Sequence, residues 1–291
     1  MNKQLIASTT AAILWLGTTL TAQDFMSDAR ALRFSYNHIP EKSIDGMATE
    51  VGVNQWSAMA PAFYFAPGNW SFGGGVRYEL TDLDFSDPTL IDEDTLHALD
   101  IPIYIGYKSS EALNWMSVIN PNISGDYDDI DGDSVYYSVL AGAMYAQNEK
   151  LKWLFGGYYS NAFDDDFFVP AVGLHWMINE KSDLFIGGPF VRYSHSLGES
   201  FDLLIGGRFA SNRWNTTANY GGVDQERDLR IRAYRLSAGL QWNISKNQAL
   251  FISAGLDVAR EVEIKDSADR SILEEDLDEA PVFEIGYRMR L

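Results

Sequence analysis

From about residue 30 to the end of the chain, apolar and polar positions alternate with a period of two. The spacing of an amphipathic helix is nearly absent, so the pattern predicts strands throughout. In 282–291, Phe283, Ile285, Tyr287, Met289 and Leu291 share one face, and Glu284, Gly286, Arg288 and Arg290 the other. In 70–81, Trp70, Phe72, Val76, Tyr78 and Leu80 oppose Ser71, Gly73, Gly75, Arg77 and Glu79. Leu99, Ile101, Ile103, Ile105 and Tyr107 face away from Asp100, Pro102, Tyr104 and Gly106, and Leu250, Ile252, Ala254, Leu256 and Val258 away from Ser253, Gly255 and Asp257. Segments of about ten residues, apolar on one side and carrying Gly, Ser or charge on the other, suit the wall of a membrane-spanning barrel. Inward charges along several strands are costly in the dry core of a soluble sandwich but acceptable in a polar lumen.

The connections sharpen this picture. Short polar turns occur at Ala66-Pro67-Gly68-Asn69, Gln147-Asn148-Glu149-Lys150, Asn179-Glu180-Lys181-Ser182 and Ser245-Lys246-Asn247-Gln248. Beside them stand Trp70, Trp153, Trp176 and Trp242. Indole rings prefer a membrane interface, where the apolar body and the polar N–H are both accommodated, so these four predict one aromatic girdle. Longer, mostly acidic connections at 39–50, 86–95, 121–133, 217–228 and 265–279 predict the opposite rim. The strand segments are 30–38, 51–65, 70–83, 96–107, 134–146, 151–162, 167–177, 184–195, 201–216, 229–243, 249–263 and 281–291, which makes about 12. That count puts the turns at 147–150 and 179–182 on the wrong rim. A further strand at 114–121 around Trp115, with a split of 184–195 at Gly187-Gly188-Pro189, gives the alternative of 14.

The 291 residues fit one large domain. With 22 basic against 41 acidic residues the formal charge is −19, which excludes nucleic acid as a partner. Cysteine is absent, so no thiolate metal site or disulfide framework exists. Residues 1–22 read as a cleaved export signal: Lys3 is the basic end, the apolar stretch runs from Leu5 to Leu20, and Thr21-Ala22 is the small-residue end. The remaining 23–291 are the barrel domain. They contain no run of 18 apolar residues, hence no spanning helix.

The export signal, the alternating segments and the final strand Phe283-x-Ile285-x-Tyr287-x-Met289-x-Leu291 together resemble bacterial outer-membrane β-barrel proteins. The segments Pro170-Ala171-Val172-Gly173-Leu174 and Gly187-Gly188-Pro189 look like those of barrel families with no assigned function. The resemblance implies an all-β, antiparallel up-and-down barrel in the outer membrane of a Gram-negative bacterium. It also implies contact with outer-membrane lipid and lipopolysaccharide, and recognition of the C-terminal strand by the barrel-assembly machinery.

Catalytic patterns are weak. None of His38, His97, His175 and His195 has a serine two residues later, which is the spacing that puts both side chains on one face of a strand. His175 is expected to face the lumen in a neutral polar role. The acidic run 126–133 fails the calcium-loop pattern, because Tyr127 and Ser138 stand where carboxylates are needed. No enzyme, cofactor or metal is therefore expected. The predicted lumen lining is Arg77, Glu79, Asp100, Arg235, Asp257, Glu284, Arg288 and Arg290, with Asp257 beside Arg288 as the first expected ion pair. The expected function is a porin-like passive channel or transporter for small or apolar molecules. The alternative is a non-conducting structural or surface-interaction barrel.

Overall fold

A computed structural model describes residues 30–127, 130, 132, 134–161, 167–220 and 222–291. The export signal, Asp128, Asp129, Asp131 and Asp133 of the acidic run, and Asp164-Asp165-Asp166 lie outside the described residues. The described chain forms sixteen strands in one sheet and no helix. They are β1 (Ala31–Ser43), β2 (Glu50–Phe65), β3 (Trp70–Phe85), β4 (Thr95–Asp100), β5 (Ile103–Lys108), β6 (Leu113–Gly125), β7 (Val135–Ala146) and β8 (Leu151–Ser160). They continue as β9 (Phe167–Asn179), β10 (Ser182–Gly187), β11 (Phe190–Ser196), β12 (Phe201–Tyr220), β13 (Val223–Ser245), β14 (Gln248–Asp266), β15 (Ser271–Leu277) and β16 (Ala280–Arg290).

Neighbours pair antiparallel around a full circle, and β16 closes it on β1. Strands β4 and β5 are halves of one stave, interrupted at Ile101-Pro102, and each half pairs with both β3 and β6. Strands β15 and β16 likewise lie end to end along one edge of β14, β15 beside 260–265 and β16 beside 248–257, and make one stave. The barrel therefore has 14 staves, the higher of the two expected counts. Both additions fall where the periodicity was broken. Strand β6 runs through Trp115, and the segment 184–195 is a hairpin whose turn is Gly188-Pro189, with Gly188 at φ 60°. With fourteen staves, the turns at 66–69, 147–150, 179–182 and 245–248 all fall at one end.

The alternation sorts the side chains as the sequence predicts. Phe34, Val76, Phe155, Val172, Ile205, Leu236, Ile252 and Ile285 form an exposed apolar band around the outside. Inward positions change character along the barrel. In its middle they are polar and charged, whereas at the long-loop end the same inward faces become apolar. There Ile39, Val51, Val53, Leu83, Leu96, Trp214, Leu229, Val262, Ile264 and Val282 pack into one core. Strand β12 leans across to meet the tip of β6, with Asn215 opposite Gly125, so the barrel narrows and this core fills it. We call this packed end the cap.

Candidate functional site

Directly below the cap the lumen holds a cavity of about 130 Å³ lined by polar side chains of β1–β4, β6–β8, β12, β13 and β16. Its charged residues come from strands whose inward positions meet at one level. Arg77 donates from Nε to Asp100 Oδ2 at 3.0 Å and approaches the same oxygen through Nη2 at 2.8 Å. Asn120 Nδ2 donates to the other Asp100 oxygen at 2.7 Å. Glu79 lies 3.7 Å from Arg77, and Glu284 lies 3.7 Å from Arg208. Arg235 is bound to Asp257 by two hydrogen bonds of 2.7 and 2.8 Å.

Three buried acceptors facing this level, Asn37 Oδ1, Asn120 Oδ1 and Glu284 Oε1, have no hydrogen-bond partner among the described residues. Asn37 and Asn120 are only 8% and 5% exposed. Buried polar atoms without protein partners call for water or a ligand, and acceptors call for donors. A second cavity of about 140 Å³ continues toward the short-turn end, lined by Arg192, Gln241, Ser253 and Arg288 among others, and it shares Arg208 and Glu284 with the first. Inside the barrel in this half, Val118, Met144 and Phe185 form a small apolar cluster with Tyr104 and Phe190, Val118 and Met144 on the same inward faces as Asn120 and Ser138.

All eight residues predicted for the lumen occupy inward positions, but they do not form one group. Arg77, Glu79, Asp100, Arg235 and Glu284 line the first cavity. Asp257 reaches it only as the partner of Arg235. Arg288 lies lower and donates to Gln241 Oε1 at 3.5 Å, and Arg290 is at the short-turn rim opposite Ala31. The expected Asp257–Arg288 pair does not form, because the register puts Asp257 opposite Ala280 and Arg288 opposite Ala249. Sequence reasoning missed Arg208, although it shares a period-two face with Leu204, Gly206 and Ala210 and was detectable on that ground. Asn37, on the face of Arg33 and Ser35, and Asn120, on the face of Asn122 and Ser124, were detectable on the same ground.

Of the four girdle residues, Trp70, Trp176 and Trp242 are exposed beside short turns, and Trp153 donates from Nε1 to Gln147 Oε1 at 2.8 Å. Trp115 joins them at that end, while Trp214 is buried in the cap. His175 is buried and faces Asp183 at 3.5 Å. His195 Nδ1 lies 2.8 Å from Ser182 Oγ across the β10–β11 pair, with the Tyr193 hydroxyl on the same serine. Among the described residues no carboxylate orients His195, so the arrangement lacks the third member of a hydrolytic triad. The described residues hold no group of three or more His, Asp or Glu side chains arranged to bind a metal.

No curated protein sequence matches the chain. Among solved structures, it resembles a deletion mutant of the monoaromatic hydrocarbon channel TodX, with 10% identity, 90% of this chain and 89% of that one covered, and a TM-score of 0.47. The toluene transporter TodX of P. putida gives 9% identity, 91% and 92% coverage and a TM-score of 0.42. The toluene transporter TbuX of Ralstonia pickettii gives 10%, 90% and 89%, and 0.41. A family described as a domain of unknown function, DUF6268, matches residues 67–290, which runs from the first short turn through the closing strand, and the chain belongs to that family.

Proposed function

We propose that the protein sits in the bacterial outer membrane and passes small, polar, hydrogen-bond-donating solutes through a narrow lumen. The exposed apolar band supports the location. It is bounded by Trp70, Trp115, Trp176 and Trp242 at one end and by the Tyr36–Trp56 and Tyr137–Tyr159 ring pairs at the other. The same outer face would meet outer-membrane lipid and lipopolysaccharide, and β16 is the strand offered to the assembly machinery.

One observation carries the functional reading: a polar cavity with unpartnered acceptors, joined at Arg208 and Glu284 to a second one in which Arg192, Gln241 and Arg288 stand among the apolar Phe190, Leu204 and Phe251. A cavity of about 130 Å³ has room for several water molecules. The polar lining of the first cavity favours small polar solutes over the apolar ones that the sequence also allowed. The second reading, a non-conducting structural barrel, is favoured by the cap, which seals the axis at the long-loop end.

Swelling of proteoliposomes separates the two readings. The passage predicts swelling in glycerol and none in raffinose. Absence of swelling in every solute would leave the structural barrel as the function.

A further inference from the structure

The cap closes the long-loop end, yet the barrel wall is incomplete just below it. The hairpin β10–β11 is so short that it pairs with β9 only as far as Gly173 and with β12 only as far as Gly207. Beyond it, 167–172 of β9 and 208–214 of β12 have no strand on that side among the described residues. At ~3.3 Å per residue this is about 20 Å of open edge on each flank. Unpaired backbone at membrane depth persists only where it lines water or is covered by protein. Pro170, which has no N–H to leave unpaired, stands in the middle of the β9 edge. The β12 edge is tied only near its tip, where Ser124 Oγ donates to Arg213 O at 2.7 Å and Asp126 N donates to Asn215 O at 3.1 Å.

The lumen cavity reaches this window. It is lined by the consecutive residues 210–214 of β12 and by Tyr136, Tyr137 and Ser138 of β7. The open stretch of the β12 edge, 208–214, thus supplies Arg208 and 210–214 to the lining of the lumen cavity. Tyr137 is 43% exposed on the outer surface. Outside lies a third cavity of about 390 Å³ that shares Tyr136 and Arg213 with the first and is lined by Glu226, Asp228, Asp266 and Asp269. Between the two, the Arg213 guanidinium carbon sits 4.6 Å from the centre of the Tyr136 ring, and its Nε donates to Asp228 Oδ1 at 2.8 Å.

We propose that this window is a side entrance to the lumen, that Arg213 and Tyr136 are its gate, and that its acidic vestibule selects cationic and neutral hydrogen-bond donors over anions. The inference rests on the reading of the lumen as a passage and adds its route and selectivity. Four carboxylates outside the gate concentrate cations and repel anions, and the unpartnered acceptors Asn37 Oδ1, Asn120 Oδ1 and Glu284 Oε1 receive the same donors inside. The stacked guanidinium held by Asp228 must swing aside for a solute to pass.

The chain has no cysteine, so a thiol introduced by Ser138→Cys, on the lumen side of the gate, reports access without background. A cationic methanethiosulfonate should modify it about tenfold faster than the sulfonate analogue. Arg213→Ala should raise both rates, and Tyr136→Ala is the independent gate variant. Each protein is first checked for the folded, heat-modifiable form. A thiol that is unreactive in the folded protein and both gate variants, or whose rates neither gate variant changes, overturns the side entrance. So does faster reaction with the anion. Glycerol swelling of the same proteoliposomes keeps the two ideas apart. Swelling with a silent thiol rejects the entrance and leaves the passage standing, while a gate-dependent thiol without swelling upholds the opening and removes the passage.

Discussion

Arg235 on β13 and Asp257 on β14 stand directly opposite one another, joined by Nε–Oδ1 and Nη2–Oδ2 hydrogen bonds of 2.7 and 2.8 Å. The two side chains are almost wholly buried, so removal of either partner leaves a charge without compensation. Asp257→Ala is expected to cost about 3–5 kcal/mol. Replacement of both by apolar residues of similar volume should recover most of that loss, and urea unfolding of the barrel in micelles measures each variant.

The cap predicts a coupled effect on stability and permeation. Trp214 is 2% exposed and packs among inward apolar residues of β1–β4 and β13–β16. Truncation by Trp214→Ala removes that packing at a cost of about 3–5 kcal/mol. It should also raise solute flux, which is read by proteoliposome swelling.

The short hairpin depends on small residues at its base. A Cβ on Gly173 would stand 2.2 Å from Ile186 O and 2.9 Å from Gly187 Cα, both backbone atoms that cannot yield without parting β9 from β10. Gly173→Ala is therefore expected to abolish the folded, heat-modifiable form. Gly188→Ala meets no atom but must adopt φ 60°, and should cost only about 1–2 kcal/mol.

Ile252 and Ile285 pair across β14 and β16 on the outer face, both more than half exposed. In the proposed membrane location, Ile285→Arg should destabilise by about 2–4 kcal/mol, whereas Leu291→Arg at the rim should cost about 0–1 kcal/mol. Equal effects at the two positions in an unfolding titration would contradict an embedded band.

At the long-loop end, beyond the band, hydrogen bonds from Arg270 hold the Asp266 carboxyl below its usual range. A depressed carboxylate stabilises its loop above the unfolded value and loses that contribution as pH falls through the folded one. Proteolysis around 266–270 should therefore stay slow at neutral pH and rise only below about pH 4. Arg270→Ala should move that rise to higher pH.

The barrel was legible because its outer face must be apolar at every second residue, and Ile285, Ile252 and Val76 obey that rule. The count was harder. Strand β6 carries Asn114, Ser117, Asn120 and Pro121 within its span, and β10 and β11 are too short to show a full period. The Asp257–Arg288 expectation failed on register, which depends on how β14 and β16 are offset and not on either segment alone. The cap and the window were not readable at all. They depend on Asn215 meeting Gly125 across the barrel, a contact between segments far apart in the chain that no local pattern signals. The Ser182–His195 pair was missed for a related reason, since the spacing rule looks along one strand and the contact crosses two.

The most direct test is planar-bilayer recording from the wild-type protein. A capped fourteen-strand barrel with small chambers predicts conductance steps far below those of an open barrel of about sixteen strands, with cations preferred to anions. A large, unselective conductance would mean that the axis is open and would contradict the account.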